Sequence, residues 1–437
     1  MLKILDIKQK LTPSRTRNFI SGIFNNSVNI LSQILLIPIF INTWGKSSYG
    51  EWLLISTIPA YLSVSDLGIN VTTTTKICSY VAIKDYKKAI ELYKSASYFF
   101  LLLSITFIII YLILVYSVNI CKIIGIKHST NFEVESSLFV LIINTFISHF
   151  IGISLGIYRS EGRYDKYQSV MTGIFLLEGI FTLLCILLKG SIISISLCYF
   201  FIRVSVFILV IINLKRSYSW FDIGFSSIKN ILPLIPASIY YTAYTTGYSI
   251  IIQGTSFWVG KNMGPSNLVT FNTIRTLTTS IRSFSGIFYG IFLPEYTVLI
   301  SQKEFRKAKK VFYNTLTFTI IFSFSLSLLY FLLGDWFLNL WTHGRIKAVH
   351  PFFLLMLMNV LINTLSNCAS NVLNATNYFK VAGILCFTLS IFTTISMSLY
   401  EKNDLSFTAT ILFIFELSLF IFTFNQVLKV VNGKVKI

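Results

Sequence analysis

The chain has 437 residues, of which 54% are hydrophobic and only 12% charged, with a mean hydropathy of +0.72. Soluble domains carry about 25% charged residues, so the composition excludes a soluble globular protein. The net charge of +19 reads as the basic cytoplasmic loops of a membrane protein rather than a nucleic-acid site, because no soluble domain exists to carry one.

Residues 1–17 are polar and basic, with Lys3, Lys8, Lys10, Arg15 and Arg17. The apolar run that follows is longer than a signal-peptide core and lacks a small-x-small cleavage site, so it reads as a retained first helix with its tail in the cytoplasm. Twelve apolar stretches of membrane-crossing length follow, roughly at 18–42, 50–77, 92–118, 136–158, 168–188, 191–213, 230–258, 267–296, 311–333, 350–373, 380–400 and 406–428. The fold class is an all-α polytopic membrane protein with twelve transmembrane helices.

Loop charges give the orientation. Lys76, Lys84, Lys87 and Lys88, then Arg159, Arg163 and Lys166, then Lys215, Arg216 and Lys229, then Lys303, Arg306, Lys307, Lys309 and Lys310, and finally Lys380 fall on one side. The other side carries fewer basic residues. This alternation places both termini in the cytoplasm.

An internal repeat divides the chain. Asp85-Tyr86-Lys87-Lys88-Ala89 before the third span matches Glu304-Phe305-Arg306-Lys307-Ala308 before the ninth, 219 residues later. Trp44-Gly45-Lys46 matches Val259-Gly260-Lys261 at 215, and Tyr164-x-Lys166 matches Tyr378-x-Lys380 at 214. Three matches in one order predict two six-helix bundles related by a pseudo-two-fold along the membrane normal: 18–215 and 230–437, joined by a cytoplasmic linker at 216–229.

Polar residues inside the spans mark candidate sites. Span 1 holds Asn25, Asn26, Asn29, Ser32 and Gln33, followed by Pro38. Span 7, its repeat partner, holds Tyr241, Tyr244, Tyr248 and Gln253 after Pro233 and Pro236. Discontinuous helices in matching positions point to a transport site. Span 8 carries Arg275 and Arg282, two helical turns and about 10 Å apart on one face. Each costs about 2.5–3.5 kcal/mol at the bilayer centre, which favours a cavity lining over lipid. Span 10 carries Asn359, Asn363, Asn367 and Asn371, and span 4 carries Asn144, Ser148, Gly152 and Gly156 at the same spacing; helix packing explains these as well as cavity lining does. The other intramembrane charges are Asp66, Glu178, Arg203 and Glu416. Glu178 and Arg203 suit an ion pair, Glu416 a contact with Ser or Asn, and Asp66 a partner arginine or a coupling cation. The six cysteines and four histidines show no CxxC and no ligand spacing, so neither a disulfide framework nor a metal site is expected.

Trp44-Gly45-Lys46-Ser47-Ser48-Tyr49-Gly50-Glu51-Trp52, Ser65-Asp66-Leu67-Gly68-Ile69 and Tyr158-Arg159-Ser160-Glu161-Gly162-Arg163-Tyr164 resemble the polysaccharide-transport family. These are the Wzx-type O-antigen flippases of the multidrug/oligosaccharidyl-lipid/polysaccharide (MOP) superfamily. The resemblance implies a MATE-like pair of bundles around a cavity. It also implies outward transfer of undecaprenyl-diphosphate-linked O-antigen repeat units by alternating access, for lipopolysaccharide biosynthesis. Other O-antigen assembly proteins and membrane lipid are the implied partners. No cofactor is expected beyond a coupling Na+ or H+. The residues fit that cargo: guanidinium forks match phosphate oxygens, and amides, hydroxyls and aromatic faces suit sugars. Two alternatives stay open: a cation-coupled multidrug exporter of the same superfamily, and an enzyme polymerising or ligating lipid-linked sugars. The second lacks the large outer loop with catalytic residues that such chemistry needs.

Overall fold

The computed structural model describes residues 13–290, 292, 296, 299–300, 302–375, 380–399 and 404–433, and every regular element among them is helical. In chain order these are α1 (Pro13–Thr43), α2 (Gly45–Leu62), α3 (Ile69–Ala82), α4 (Tyr86–Ser117), the short α5 (Ile120–Ile124), α6 (Asn131–Ser160), α7 (Tyr164–Leu187), α8 (Ile192–Ser217), α9 (Ile235–Met263), α10 (Pro265–Gly290), α11 (Phe305–Thr342), α12 (Phe352–Ala375), α13 (Lys380–Ser398) and α14 (Leu405–Val431). Among the described residues, eight helices are long and apolar enough to cross a membrane. The other main helices, α1, α2, α3, α9 and α10, occupy predicted spans 1, 2, 7 and 8, the polar pairs that open each half. Large apolar side chains such as Ile109, Ile113, Ile321, Phe324 and Leu332 are exposed along α4 and α11, as a lipid-facing surface requires. The chain is a multi-pass membrane protein.

Two expectations change. The single span at 50–77 is broken into α2 and α3. Asp66 Oδ1 accepts from Gly68 N at 3.0 Å, and Leu67 and Gly68 have φ of 50° and 70°. Two consecutive left-handed residues closed by an Asx turn cannot continue a right-handed helix. Asp66 therefore sits in a turn, not on a spanning face. Conversely, spans 1 and 7 are continuous. Pro38 lies inside α1, and α9 starts after a 3-10 turn at Leu232–Leu234 with Pro236 in its first turn, where a missing N–H costs no helical bond. The discontinuity lies in span 2 instead.

The repeat is visible in backbone geometry. Lys84 and Lys303, with φ of 62° and 58°, precede α4 and α11. Asp85 and Glu304 stand at the N-caps. Each pairs with a lysine one turn on, Asp85–Lys88 at 2.9 Å and Glu304–Lys307 at 2.8 Å. Ala89 and Ala308 are both fully buried. The Gly45 match needs correcting. Gly260 lies inside α9, whereas Gly264, with φ of 87° against 78° for Gly45, stands at the α9–α10 joint as Gly45 stands, beside Trp44, at the α1–α2 joint. That pair also stands 219 residues apart. Tyr378 lies outside the described residues.

Compactness divides the chain into unit 1 (residues 1–36, 65–120 and 131–238) and unit 2 (37–64, 121–130 and 239–437). Helix α2 and the segment 121–130 thus group with the second half of the chain, and α2 packs along α10. A Cβ on Gly50 would collide with the Pro265 carbonyl oxygen, so only glycine permits this approach.

In unit 1, Ile77, Leu92, Tyr93, Phe100, Ile151, Leu155, Tyr158 and Leu214 form the core. The small-residue stripe of α6 packs there: Cβ atoms on Gly152 and Gly156 would lie 3.1 and 2.5 Å from Asn70 and Thr74 of α3. In unit 2, Tyr296, Phe312, Cys368, Val372, Val427 and Val430 join α11, α12 and α14.

Candidate functional site

Unit 2 holds a cavity of about 410 Å³. Helix α9 supplies Tyr244, Thr245, Tyr248, Ser249, Ile252 and Gln253, α10 supplies Arg282, and α12 supplies Asn367. Ala60, Ser63 and Val64 line it at the end of α2. Steps of three and four along α9 put its six on one broad face. No acidic side chain is among these lining residues.

Behind the lining lies a hydrogen-bonded relay. Arg282 Nη1 donates to Asn363 Oδ1 at 3.4 Å. The Asn363 amide nitrogen donates to Glu416 Oε1 at 2.8 Å and lies 3.2 Å from the Tyr248 hydroxyl oxygen. That hydroxyl donates to Glu416 Oε2 at 3.1 Å. Asn367 donates to the Asn363 carbonyl and side-chain oxygens at 2.7 and 3.1 Å. Glu416 is only 4% exposed. A carboxylate so placed needs donors, a proton or a cation to offset lost hydration, and two donors from two helices are present.

The two arginines have different surroundings. Arg282 lines the cavity on one long hydrogen bond among the described residues. Arg275 donates to the Ile252 carbonyl at 3.0 Å and to Asn272 Oδ1, with its guanidinium 5.2 Å from the centroid of the Phe271 ring. Among the described residues, one of these bonds ties α10 to α9 and the other lies within α10.

Unit 1 has a counterpart of the relay. Arg203 Nε donates to Glu178 Oε1 at 2.6 Å and Nη1 donates to Ser148 Oγ. The ion pair that the sequence allowed is present. Asn363 stands 215 residues after Ser148, and Glu416 stands 213 after Arg203. One helix pair of the repeat therefore carries a cation on its last helix in unit 1 and an anion in unit 2.

The remaining candidates separate. Tyr244 and Tyr248 stack edge-tilted with centroids 5.0 Å apart at the cavity. Asn25 Oδ1 accepts from Thr172 Oγ1 at 3.0 Å in unit 1. Ser32 meets Gly179 one heptad further along the same α1–α7 seam. The side chains of Asn26, Asn29, Gln33 and Tyr241 lie outside the described residues. Asn363, one of the stripe that packing and cavity lining explained equally well, is the hub of the relay; the four-residue spacing was its signal. In the 216–229 linker, the Asp222 carboxyl is held below its usual range by a 2.6 Å hydrogen bond from the Lys94 ammonium.

No protein-family model matches the chain, and no curated protein matches it. Solved structures do. An inward-facing multidrug resistance MATE family transporter of the MOP superfamily aligns with a TM-score of 0.73 at 14% identity, over 94% of this chain and 98% of that one. The outward-facing conformation of such a transporter aligns at 0.65 with 14% identity over 97% of both chains. A MATE in complex with MaL6 aligns at 0.66 with 15% identity, again over 97% of both. Likeness over nearly the whole chain at such low identity establishes architecture and nothing finer: this protein has the all-helical, twelve-span MATE fold.

Proposed function

We propose that the protein is a flippase that moves undecaprenyl-diphosphate-linked oligosaccharide repeat units from the cytoplasmic to the outer leaflet of a bacterial inner membrane by alternating access. The observation that carries this reading is the cavity lining. It presents one guanidinium, Arg282, and otherwise tyrosines, hydroxyls and amides, with no carboxylate among the described lining residues. Arg282 suits the diphosphate, since a guanidinium matches phosphate oxygens in bidentate fashion. Tyr244, Tyr248, Ser249, Gln253 and Asn367 suit sugar hydroxyls and ring faces. Outward movement of a dianion runs down an inside-negative potential, about 2.3 kcal/mol per charge per 100 mV. The lipid tail remains in the bilayer.

A second reading, a cation-coupled multidrug exporter, is favoured by one observation: the buried Glu416, a natural carrier of Na+ or H+. That reading also asks for a carboxylate facing a cationic cargo, and none is among the described lining residues. Glu416 stands behind Asn363 and Tyr248, where it suits coupling in either reading. The deciding experiment expresses the protein in a strain lacking its O-antigen flippase. Restored surface glycan supports the first reading; resistance to cationic dyes without glycan supports the second.

A further inference from the structure

Among the described residues, the most completely satisfied carboxylate in unit 2 is not in the cavity. Glu51 of α2 is 0% exposed. Its Oε1 accepts from Lys127 N at 2.8 Å and His128 N at 2.7 Å, and its Oε2 from Ser129 N at 2.9 Å and Ser129 Oγ at 2.7 Å. Three consecutive backbone N–H groups aimed at one anion form a nest. The segment they belong to, 121–130, also buries Cys121, Ile124 and Ile126.

A bland anchor would account for those bonds alone. The connectivity adds more. Segment 121–130 is counted in unit 2, yet the residues on both sides of it, Ile120 and Asn131, are counted in unit 1. Helix α2, which carries Glu51, likewise leaves unit 2 through the left-handed turn at Leu67 and Gly68. Left-handed glycines stand on the strap and at the start of α2: Gly125 has φ of 85° and Gly45 of 78°. Any movement of unit 1 against unit 2 loads the two single links at the ends of the strap. The polar nest is what holds the strap meanwhile. On the strap side of the nest, Lys127 and His128 are exposed.

We propose that Glu51 is a releasable latch: its carboxylate holds the strap 121–130 docked on α2, and breaking and remaking that nest is a step of the transport cycle. The inference rests on alternating access in the proposed function, but not on the identity of the cargo.

Native Cys121 reports the latch. In reconstituted protein, a membrane-impermeant maleimide labels Cys121 slowly in the wild type, read by peptide mass. In Glu51→Ala the labelling rises about tenfold or more, since hydrogen bonds to a charged group are lost together. Glu51→Gln falls between, because one amide oxygen remains as acceptor while its NH2 confronts N–H donors. Equal labelling in wild type and Glu51→Ala overturns the latch. Should Glu51→Ala not accumulate, wild-type amide exchange decides. The amides of 127–129 then exchange faster than those in the α6 core; equal protection overturns the proposal. Finally, Glu51→Cys joined to Ser129→Cys by a short cleavable cross-linker stops movement of an undecaprenyl-diphosphate oligosaccharide probe, and cleavage restores it. Unchanged movement in the joined protein overturns the latch. Movement in neither form counts against the cargo reading, and the Cys121 result then stands as the test of the latch.

Discussion

Arg282→Ala and Arg275→Ala separate binding from stability. Arg282 has one internal hydrogen bond among the described residues, 3.4 Å long, at the outer edge of useful geometry. Removing it leaves the fold nearly unchanged. What is lost is a charge-assisted contact to the diphosphate, about 1.5–3 kcal/mol, equivalent to about 10- to 150-fold in affinity. Arg275 instead holds the Ile252 carbonyl and Asn272 Oδ1. Hydrogen bonds between membrane helices contribute about 0.6 kcal/mol on average and up to about 1.7. Only the bond to Ile252 crosses to another helix, α9; losing it costs about 0.6–1.7 kcal/mol of stability, and the upper part of that range lowers abundance several-fold. The assay measures surface glycan in a flippase-deficient strain, normalised to protein in the membrane. Arg282→Ala loses glycan at normal abundance, Arg282→Lys keeps part of it because the charge remains without the fork, and Arg275→Ala loses abundance while normalised activity stays. Normal glycan in Arg282→Ala, or equal normalised losses in both alanine variants, contradicts the assignment.

Asn363→Asp sets a second carboxyl against Glu416, which now lies 2.8 Å from the amide nitrogen. It lowers the melting temperature in detergent more than Asn363→Ala does, since one adds repulsion and the other removes a donor worth about 1.5–3 kcal/mol; the reverse order would discount the relay. Arg203→Ala strands Glu178 and costs about 3–5 kcal/mol, and adding Glu178→Ala recovers most of it. No recovery in the double variant would show that the pair is not what Arg203 supports. Asp85→Ala removes the N-cap of α4, whose side chain accepts from Lys88 N at 3.2 Å, and lowers the melting temperature as the loss of one cap does. The Lys88 hydrogen bond holds the Asp85 carboxyl below its usual range. Its contribution is therefore full above the unfolded carboxyl's pKa and is lost as pH falls through the depressed folded value. Unfolding followed against pH shows that acid loss in wild type and a smaller one in Asp85→Ala.

The spans and the repeat were legible because burial in lipid demands apolar length, and because caps recur where helices recur. Asp85 and Glu304 with their lysines were read from sequence and kept their geometry. The break in span 2 was hidden because Ser65-Asp66-Leu67-Gly68 sits in an apolar run, and an Asx turn depends on backbone angles that composition does not record. Arg275 and Arg282 share a face by spacing, but neighbours decide which one meets a cavity: Ile252 and Asn272 absorb the first. Glu51 was quoted only as part of a motif, since its partners at 127–129 lie more than seventy residues away and act through backbone N–H groups that no side-chain pattern reveals.

The proposed cargo is decided by reconstituting the protein in liposomes with a fluorescent undecaprenyl-diphosphate oligosaccharide and following its exposure to an impermeant quencher. Wild type moves the lipid between leaflets and Arg282→Ala does not. Movement at the rate of empty liposomes by wild type, with active transport of a lipophilic cation in its place, contradicts the flippase reading.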